Sequence, residues 1–340
     1  MRLTAFLAVA ALSLAVVPRA QAVPVKGLYD ASVPVSDQNP ESRDPALRRA
    51  LQVVLFRVTG TRNLPPEVSS TLLPRAATLV QGYGYEQASS GQALLLHAQF
   101  DARATATALR GMNLPVWGAN RPSHLVWIAL RDDGQSRVLL DAAGVASRAP
   151  ALASAADTRG LPFTFPAVDA SERKLVTFDQ VWANDLTGVL GASRHYGADQ
   201  IVVARVGKEN GRWLARWALL NGSGAVEEWA ATRETLDEAL AAGVDELADR
   251  EAQRFATSGT TAQELELHVS GVASLDDYGH VLNYLRALNA VRSAQVQSAE
   301  GDQLTLRLRV EGDPAAIARA IASGSTLREL PDGRTYTLIR

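Results

Sequence analysis

The side chains that most often carry out chemistry are few and widely separated in this chain. None of the histidines belongs to a His-x-His or His-Glu-x-x-His pair, so a classical zinc site has no frame. Asp276 and His280 lie four residues apart on a predicted helix and could share a metal, but two ligands without a third more simply form an acidic first turn. We therefore predict no metal site. The five histidines are His97, His124, His195, His268 and His280.

The sequence also lacks the patterns that are typical of nucleophilic catalysis, of phosphate binding and of paired acids. Ser193 and His195 are two residues apart on a predicted helix and point to different faces, and no Gly-x-Ser-x-Gly occurs. No phosphate-binding glycine loop occurs, and Glu227 and Glu228 alternate faces on a predicted strand. The absence of cysteine excludes disulfides, catalytic thiols, zinc–thiolate sites and iron–sulfur clusters. We predict no catalytic residue and no cofactor, although an unrecognised hydrolase stays open because catalytic residues need not be close in sequence.

Aromatic residues offer a different kind of candidate site. Trp213 and Trp217 lie on one face of a predicted strand, and Trp229 lies on the strand that returns after Asn221-Gly222. This face is either a platform for a glycan or peptide partner or the surface that packs on the following helix. We favour packing, because aromatic side chains fit strand surfaces and commonly form core.

The stretch LPVWGANRPSHLVWIAL, residues 114–130, is predicted to be a joint between two domains. Pro115 and Pro122 stop helix propagation on each side, and Trp117 has no periodic partner. Seams between domains can also bind ligands. The candidate ligand or partner surface therefore consists of Trp117 and Arg121 at the joint, together with Trp213 and Trp217 on the strand.

The first 22 residues are expected to be a cleavable signal peptide. Arg2 precedes an apolar core too short to span a bilayer, and Ala20–Ala22 form a small-x-small cleavage site, so the mature chain would begin at Val23. No later apolar stretch approaches spanning length, and the formal net charge of −2 gives no electrostatic case for nucleic acid. We expect a periplasmic protein with no transmembrane segment after cleavage.

Three small modules are predicted, giving a mixed α/β and α+β fold class. Residues 23–112 run β-α-α-β-β-α, and residues 262–340 run β-α-β-β-α-β, the ferredoxin-like order, so the outer two modules are ferredoxin-like or variants of it. The first module is expected to have a helix with an apolar face from Leu47 to Val58 and a Ser-Ser-Gly turn at 89–91 between two strands. The third module is expected to have a helix over 313–324 and two closing strands joined by a Pro-Asp-Gly turn.

Residues 123–258 are expected to form an α/β layer with some parallel pairing and with helices over 147–160 and 182–197, followed by a hairpin and a long helix. Linkers are expected near 113–123 and 257–263. The outer modules share an apolar strand, an aspartate cap and an alanine-rich helix, through duplication or through use of a common unit.

These segments resemble a known but uncharacterised family. PVWGANRPSHLVWIAL, FDQVWANDLTGVLGASRHYGADQIVVARV and the later TLDEALAAGVDELADREAQRFA resemble the proteobacterial periplasmic family called domain of unknown function 2066, in order and spacing across nearly the whole mature chain. That family has no catalytic signature to carry over. More loosely, YGADQIVVARV resembles the amino-terminal α/β module of TolB, which is a likeness of fold and implies no function.

The leading functional prediction is a non-enzymatic adaptor or assembly factor that binds another periplasmic or membrane protein. Export, small modules and the absence of a converging catalytic set motivate it. The alternatives are a periplasmic module that binds a small ligand or glycan, and an unrecognised hydrolase. A deep polar pocket would favour an enzyme, whereas an open apolar patch would favour the adaptor.

Overall fold

The computed structural model describes residues 23–87, 93–132, 136–220, 226–258, 262–288, 290–312, 318, 321, 326–332 and 335–339. Helices and strands are mixed throughout, which confirms the predicted α/β and α+β fold class. Four predictions lie outside the described residues: the signal peptide, the Ser-Ser-Gly turn at 89–91, the Asn221-Gly222 turn and, apart from residues 318 and 321, the helix at 313–324. Within the described part of the chain, no helix combines the length and the apolarity needed to cross a membrane.

The first module packs one long helix against a three-stranded antiparallel sheet of order β2-β4-β3. The apolar face predicted for this helix is buried, from Leu47 to Val58. The last helix begins where Asp101 caps it, with Oδ1 accepting a hydrogen bond of 2.7 Å from the backbone N–H of Ala104. The elements are β1 (Val23–Pro24), β2 (Asp30–Val35), α1 (Pro40–Thr59), α2 (Ala76–Leu79), β3 (Val80–Gln87), β4 (Leu94–Phe100) and α3 (Ala102–Gly111).

The middle module is a six-stranded sheet with helices on both faces. Its strands run in the order β11-β10-β9-β6-β7, with the short β8 beside β6, and β6 pairs with β9 in parallel as predicted. The elements are β5 (Asn120–Arg121), β6 (His124–Arg131), β7 (Arg137–Leu140), α4 (Ala142–Arg148), α5 (Pro150–Arg159), β8 (Phe163–Thr164), α6 (Glu172–Leu175), α7 (Phe178–Trp182), α8 (Thr187–Ser193), β9 (Gln200–Glu209), β10 (Arg212–Leu220), β11 (Val226–Arg233) and α9 (Leu236–Phe255).

Two helices predicted in this module are each interrupted. The helix predicted over 147–160 divides before Pro150, because proline favours the first turn of a new helix. In place of the single helix predicted over 182–197, the chain forms three short helical segments. Asn184 has a φ of 63° and ends the first of them, and a turn of 3-10 helix follows α8.

The third module departs from the ferredoxin-like pattern by one strand. Its sheet has the order β13-β14-β12-β16-β15, and β16 pairs in parallel with β12. The two closing strands, predicted as one hairpin, place β16 inside the sheet and β15 at its edge. The elements are β12 (Ala262–Ser270), α10 (Leu275–Ala287), β13 (Val291–Glu300), β14 (Gln303–Glu311), β15 (Leu327–Glu329) and β16 (Thr335–Leu338).

Candidate functional site

The joint predicted at residues 114–130 is tied into its surroundings by backbone hydrogen bonds. The N–H of Trp117 donates to the carbonyl of Val58, at the end of α1, over 2.6 Å. Val116 and Thr257 exchange two backbone hydrogen bonds of 2.9 and 3.1 Å, so the two predicted linkers pair with each other. Trp117 is fully buried.

Arg121 is the centre of this joint. Its side chain is fully buried, and its guanidinium stacks on the Trp117 ring with 3.8 Å between Cζ and the ring centroid. Burial lowers the pKa of Arg121 to about 9. All five of its N–H groups find backbone carbonyls, at 2.6 to 3.0 Å, on Arg57, Trp117, Gly118, Arg159 and Gly160.

Trp217 lies in the core, where the hairpin packs on α9. Its ring is fully buried and stacks on that of Trp229, with 6.0 Å between the ring centroids. Gly243 of α9 makes this contact possible, because a Cβ there would lie 2.0 Å from Nε1 of Trp217. Trp213 is half-buried at the edge of the same core. The packing interpretation is therefore confirmed for Trp217 and Trp229.

The predicted ligand or partner surface is thus mostly interior. Trp117, Arg121 and Trp217 have no exposed area, because each fills a contact between helices or between a helix and the sheet. Only Trp213 keeps partial exposure. The structure groups Trp117 with Arg121 at the joint.

The residues examined for catalysis do not converge. The Oγ of Ser193 donates to the carbonyl of Val189 over 2.6 Å and accepts from Nε1 of Trp127 over 3.0 Å. His195 Nε2 instead lies 3.6 Å from a carboxylate oxygen of Glu172. In the described part of the chain, no group of three or more His, Cys, Asp and Glu residues is placed to hold a metal ion.

A buried polar cluster was missed by the sequence analysis. His124 of β6 lies opposite Gln200 of β9 in the parallel ladder, and Glu251 of α9 packs close enough to Gln200 for the two to interact. Burial lowers the pKa of His124 to about 4 and raises the pKa of Glu251 to about 7. All three side chains are almost fully buried, so no substrate can reach them in this conformation. The register of the parallel strands, which no local pattern encodes, brings His124 and Gln200 together.

An open groove lies between α8 and the edge strand β11, and we call it the β11 groove. Its volume is about 540 Å³. Its apolar lining consists of Leu186, Leu190 and Val226. The last two are exposed, Val226 at 48% and Leu190 at 45%, and we call them the apolar floor. The residues that line it are Asn184, Asp185, Leu186, Thr187, Leu190, Val226 and Glu228.

The rim of the β11 groove is acidic. Among the described residues, the charged ones that line it are Asp185 and Glu228, and Nη2 of Arg205 lies 3.6 Å from a carboxylate oxygen of Glu228. Nδ2 of Asn184 donates to a carboxylate oxygen of Glu228 over 2.8 Å, which joins the turn before α8 to the strand. This groove combines an apolar floor, negative charge and a neighbouring strand edge. Sequence analysis missed it because its two walls lie some 40 residues apart.

Comparison with known proteins gives one family match. Among solved structures, the C-terminal domain of LpoB from Salmonella enterica is similar over 34% of this chain and 83% of that chain, with 14% sequence identity and a TM-score of 0.23. A TM-score this low carries no argument about fold or function. The comparison with curated proteins finds no match. Residues 22–118 match the model of an uncharacterised family, described as a domain of unknown function (DUF8605).

Proposed function

We propose that this chain is an exported, non-enzymatic protein of the cell envelope, an adaptor or assembly factor that binds a segment of another envelope protein. The observation that carries the proposal is the β11 groove, where Val226 and Leu190 stay exposed beside an acidic rim. Exposed apolar side chains that cluster in one groove are typical of protein-binding surfaces.

The placement of the reactive side chains supports a binding role over a catalytic one. The Oγ of Ser193 makes hydrogen bonds inside the fold, and the N–H groups of the Arg121 guanidinium all donate to backbone carbonyls. His124 is fully buried. The groove, by contrast, is open to solvent and lined by side chains that recognise shape and charge.

Export to the periplasm is supported by the leader pattern at residues 1–22 and by the resemblance to the domain of unknown function 2066 family. We propose that the chain is a member of that family. N-terminal sequencing of the mature protein is expected to begin at Val23. A chain that retains Met1 would contradict the export proposal.

Site-directed photo-crosslinking in the native cells tests the binding role. A photoreactive phenylalanine analogue replaces Leu190 in the groove, and the matched control replaces Leu275, which is apolar, 88% exposed and located in the third module. We expect a discrete protein adduct at residue 190 that is absent at residue 275. No adduct at residue 190, or the same adducts at both residues, would count against the β11 groove as the binding surface.

A further inference from the structure

We infer that β11 accepts an extended segment of the partner as an added strand, with an apolar side chain of that segment in the β11 groove and a basic side chain two positions away. This inference rests on the proposed function and names the binding mode and the partner chemistry at the same site. In strand addition, backbone hydrogen bonds supply affinity, and alternate side chains supply specificity.

Most other sheet edges in the described part of the chain are protected. In β2, Pro34 has no N–H to offer, and Arg49 Nη2 and Arg57 Nη1 donate to the carbonyls of Pro34 and Asp30 over 2.7 and 2.9 Å. The edge strands β3 and β13 contain register shifts, which are typical of protected edges. The edges at β7 and β15 are only four and three residues long.

Strand β11 carries fewer of these devices, although Arg233 Nη1, at its last residue, donates to the carbonyl of Thr232 over 2.8 Å. Its eight residues pair with β10 in unbroken register, from Val226 opposite Leu220 to Arg233 opposite Trp213. Its sequence contains no proline. Among the described residues, no other strand pairs with its outer edge. The backbone groups on that edge are therefore placed to pair with an incoming strand.

The two glutamates of β11 leave this edge open because they are held on the two faces of the sheet. Glu227 forms ion pairs with Arg250 and Arg254 of α9. Glu228, on the opposite face, accepts a hydrogen bond from Asn184 and lies 3.6 Å from Nη2 of Arg205. Neither carboxylate therefore covers the backbone groups on the outer edge of β11.

The groove sets the side-chain pattern of the incoming segment. Val226 and Glu228 lie on the same face of β11, and side chains of an added strand that stand beside them share that face. The position beside Val226 and Leu190 therefore favours an apolar side chain. The position beside Glu228, two residues along, favours lysine or arginine because Asp185 and Glu228 bring two carboxylates to the groove, whereas Arg205 supplies one cation.

A second copy of this chain fits the groove less well. The residues of β11 on the groove face are Val226, Glu228, Ala230 and Thr232, and none of them is basic. Pairing of β11 with its own copy would bring more carboxylates to an acidic rim and no cation. Charge therefore favours a different chain as the occupant.

The test uses purified mature protein and a random dodecapeptide phage library as the probe. We expect selected peptides to carry an apolar residue two positions from lysine or arginine, and to slow hydrogen exchange of the backbone amides in residues 226–233. Leu190→Asp and Val226→Asp are expected to weaken binding by about tenfold or more, because they place a charge in the apolar floor. Leu275→Asp is the matched control and should bind as wild type does.

Three results would overturn strand addition. Selection of peptides that lack an apolar residue two positions from lysine or arginine would contradict the proposed partner chemistry. Unchanged hydrogen exchange in β11 would exclude the strand, even if Leu190 crosslinks to a partner in cells, and the proposed function would then stand without this binding mode. A concentration-dependent dimer, seen by analytical ultracentrifugation and lost in Val226→Asp, would identify a second copy as the occupant.

Discussion

Arg121 and Glu251 are both fully buried charged residues of the middle module, but their surroundings differ sharply. Arg121 donates all five of its N–H groups to carbonyl oxygens. Glu251 accepts one hydrogen bond of 3.3 Å from Arg254, and among the described residues its second oxygen has no partner. With a pKa of about 9, Arg121 is charged at neutral pH, whereas Glu251, with a pKa of about 7, is half-protonated there.

Burial is the largest cause of both pKa shifts, and the ends of helices add to the difference between the two surroundings. Arg121 lies where α1 and α5 finish, among carbonyls that have no partner inside their helices and carry partial negative charge. Glu251 belongs to the last turns of α9, where the same partial charge disfavours a carboxylate. A buried charge is therefore tolerated here according to the groups that meet it, and burial alone does not decide its cost.

The strongest test of this comparison is Arg121→Met, which keeps an apolar stem but removes every donor. We expect the free energy of unfolding to fall by about 3–5 kcal/mol, because five buried carbonyls lose their partner. Urea denaturation followed by tryptophan fluorescence measures the change. Arg62→Met is the control, since Arg62 is exposed and its ion pair with Asp245 contributes less than about 1 kcal/mol. A similar small loss in Arg121→Met would show that the joint does not depend on this arginine.

Glu251→Gln is expected to have the opposite sign and to depend on pH. Folding raises the pKa of Glu251 to about 7, so ionisation of its carboxyl destabilises the folded state. The cost is absent below the pKa of the unfolded chain, grows as the pH rises toward 7, and is complete above it. At pH 8 the variant should be more stable than wild type by on the order of 3 kcal/mol, with little difference at pH 4.

Urea denaturation at both pH values measures this effect. Glu246→Gln is the matched control, because Glu246 lies on the same helix but is exposed. A stability gain in Glu251→Gln that stays constant between pH 4 and pH 8 would contradict the assignment to this carboxyl.

His124→Leu extends the comparison to a third buried ionisable residue, whose effect is expected at acid pH. Burial lowers the pKa of His124 to about 4, so the folded protein excludes a proton that the unfolded chain binds below about pH 6.5. Wild-type stability should therefore decline as the pH falls from about 6.5 to 4, and the leucine variant should lose up to about 3 kcal/mol less over that range. His97→Leu is the control, because His97 is exposed. Parallel acid profiles for wild type and His124→Leu would place the decline elsewhere.

The contrast between Arg121 and Glu251 also shows which features can be predicted from the sequence alone. The packing of Trp217 and the joint around Trp117 follow from local patterns, since strand alternation and flanking prolines are visible in a single stretch. The carbonyl set around Arg121 draws on residues near 57, 118 and 160, so it exists only after the helices have packed.

Other features depend on tertiary structure in the same way. The pairing of His124 with Gln200 requires the parallel register of β6 and β9. The insertion of β16 beside β12 was not predicted, because both closing strands were visible but their order in the sheet was not. The Gly243 contact had a usable signal, since a glycine inside a long amphipathic helix commonly has a packing reason.

The smallest expected effect comes from the β11 groove, and it tests whether that surface is free. Leu190→Asp should change the free energy of unfolding by no more than about 0.5 kcal/mol, because the side chain is largely solvated. Val189→Asp, one residue earlier and fully buried, places an unpaired carboxyl in the core and should destabilise by several kcal/mol. The two neighbours share a helix, so local helix propensity cannot explain the difference. If Leu190→Asp destabilises as strongly as Val189→Asp, then another part of the protein covers the groove in solution and no partner strand reaches it.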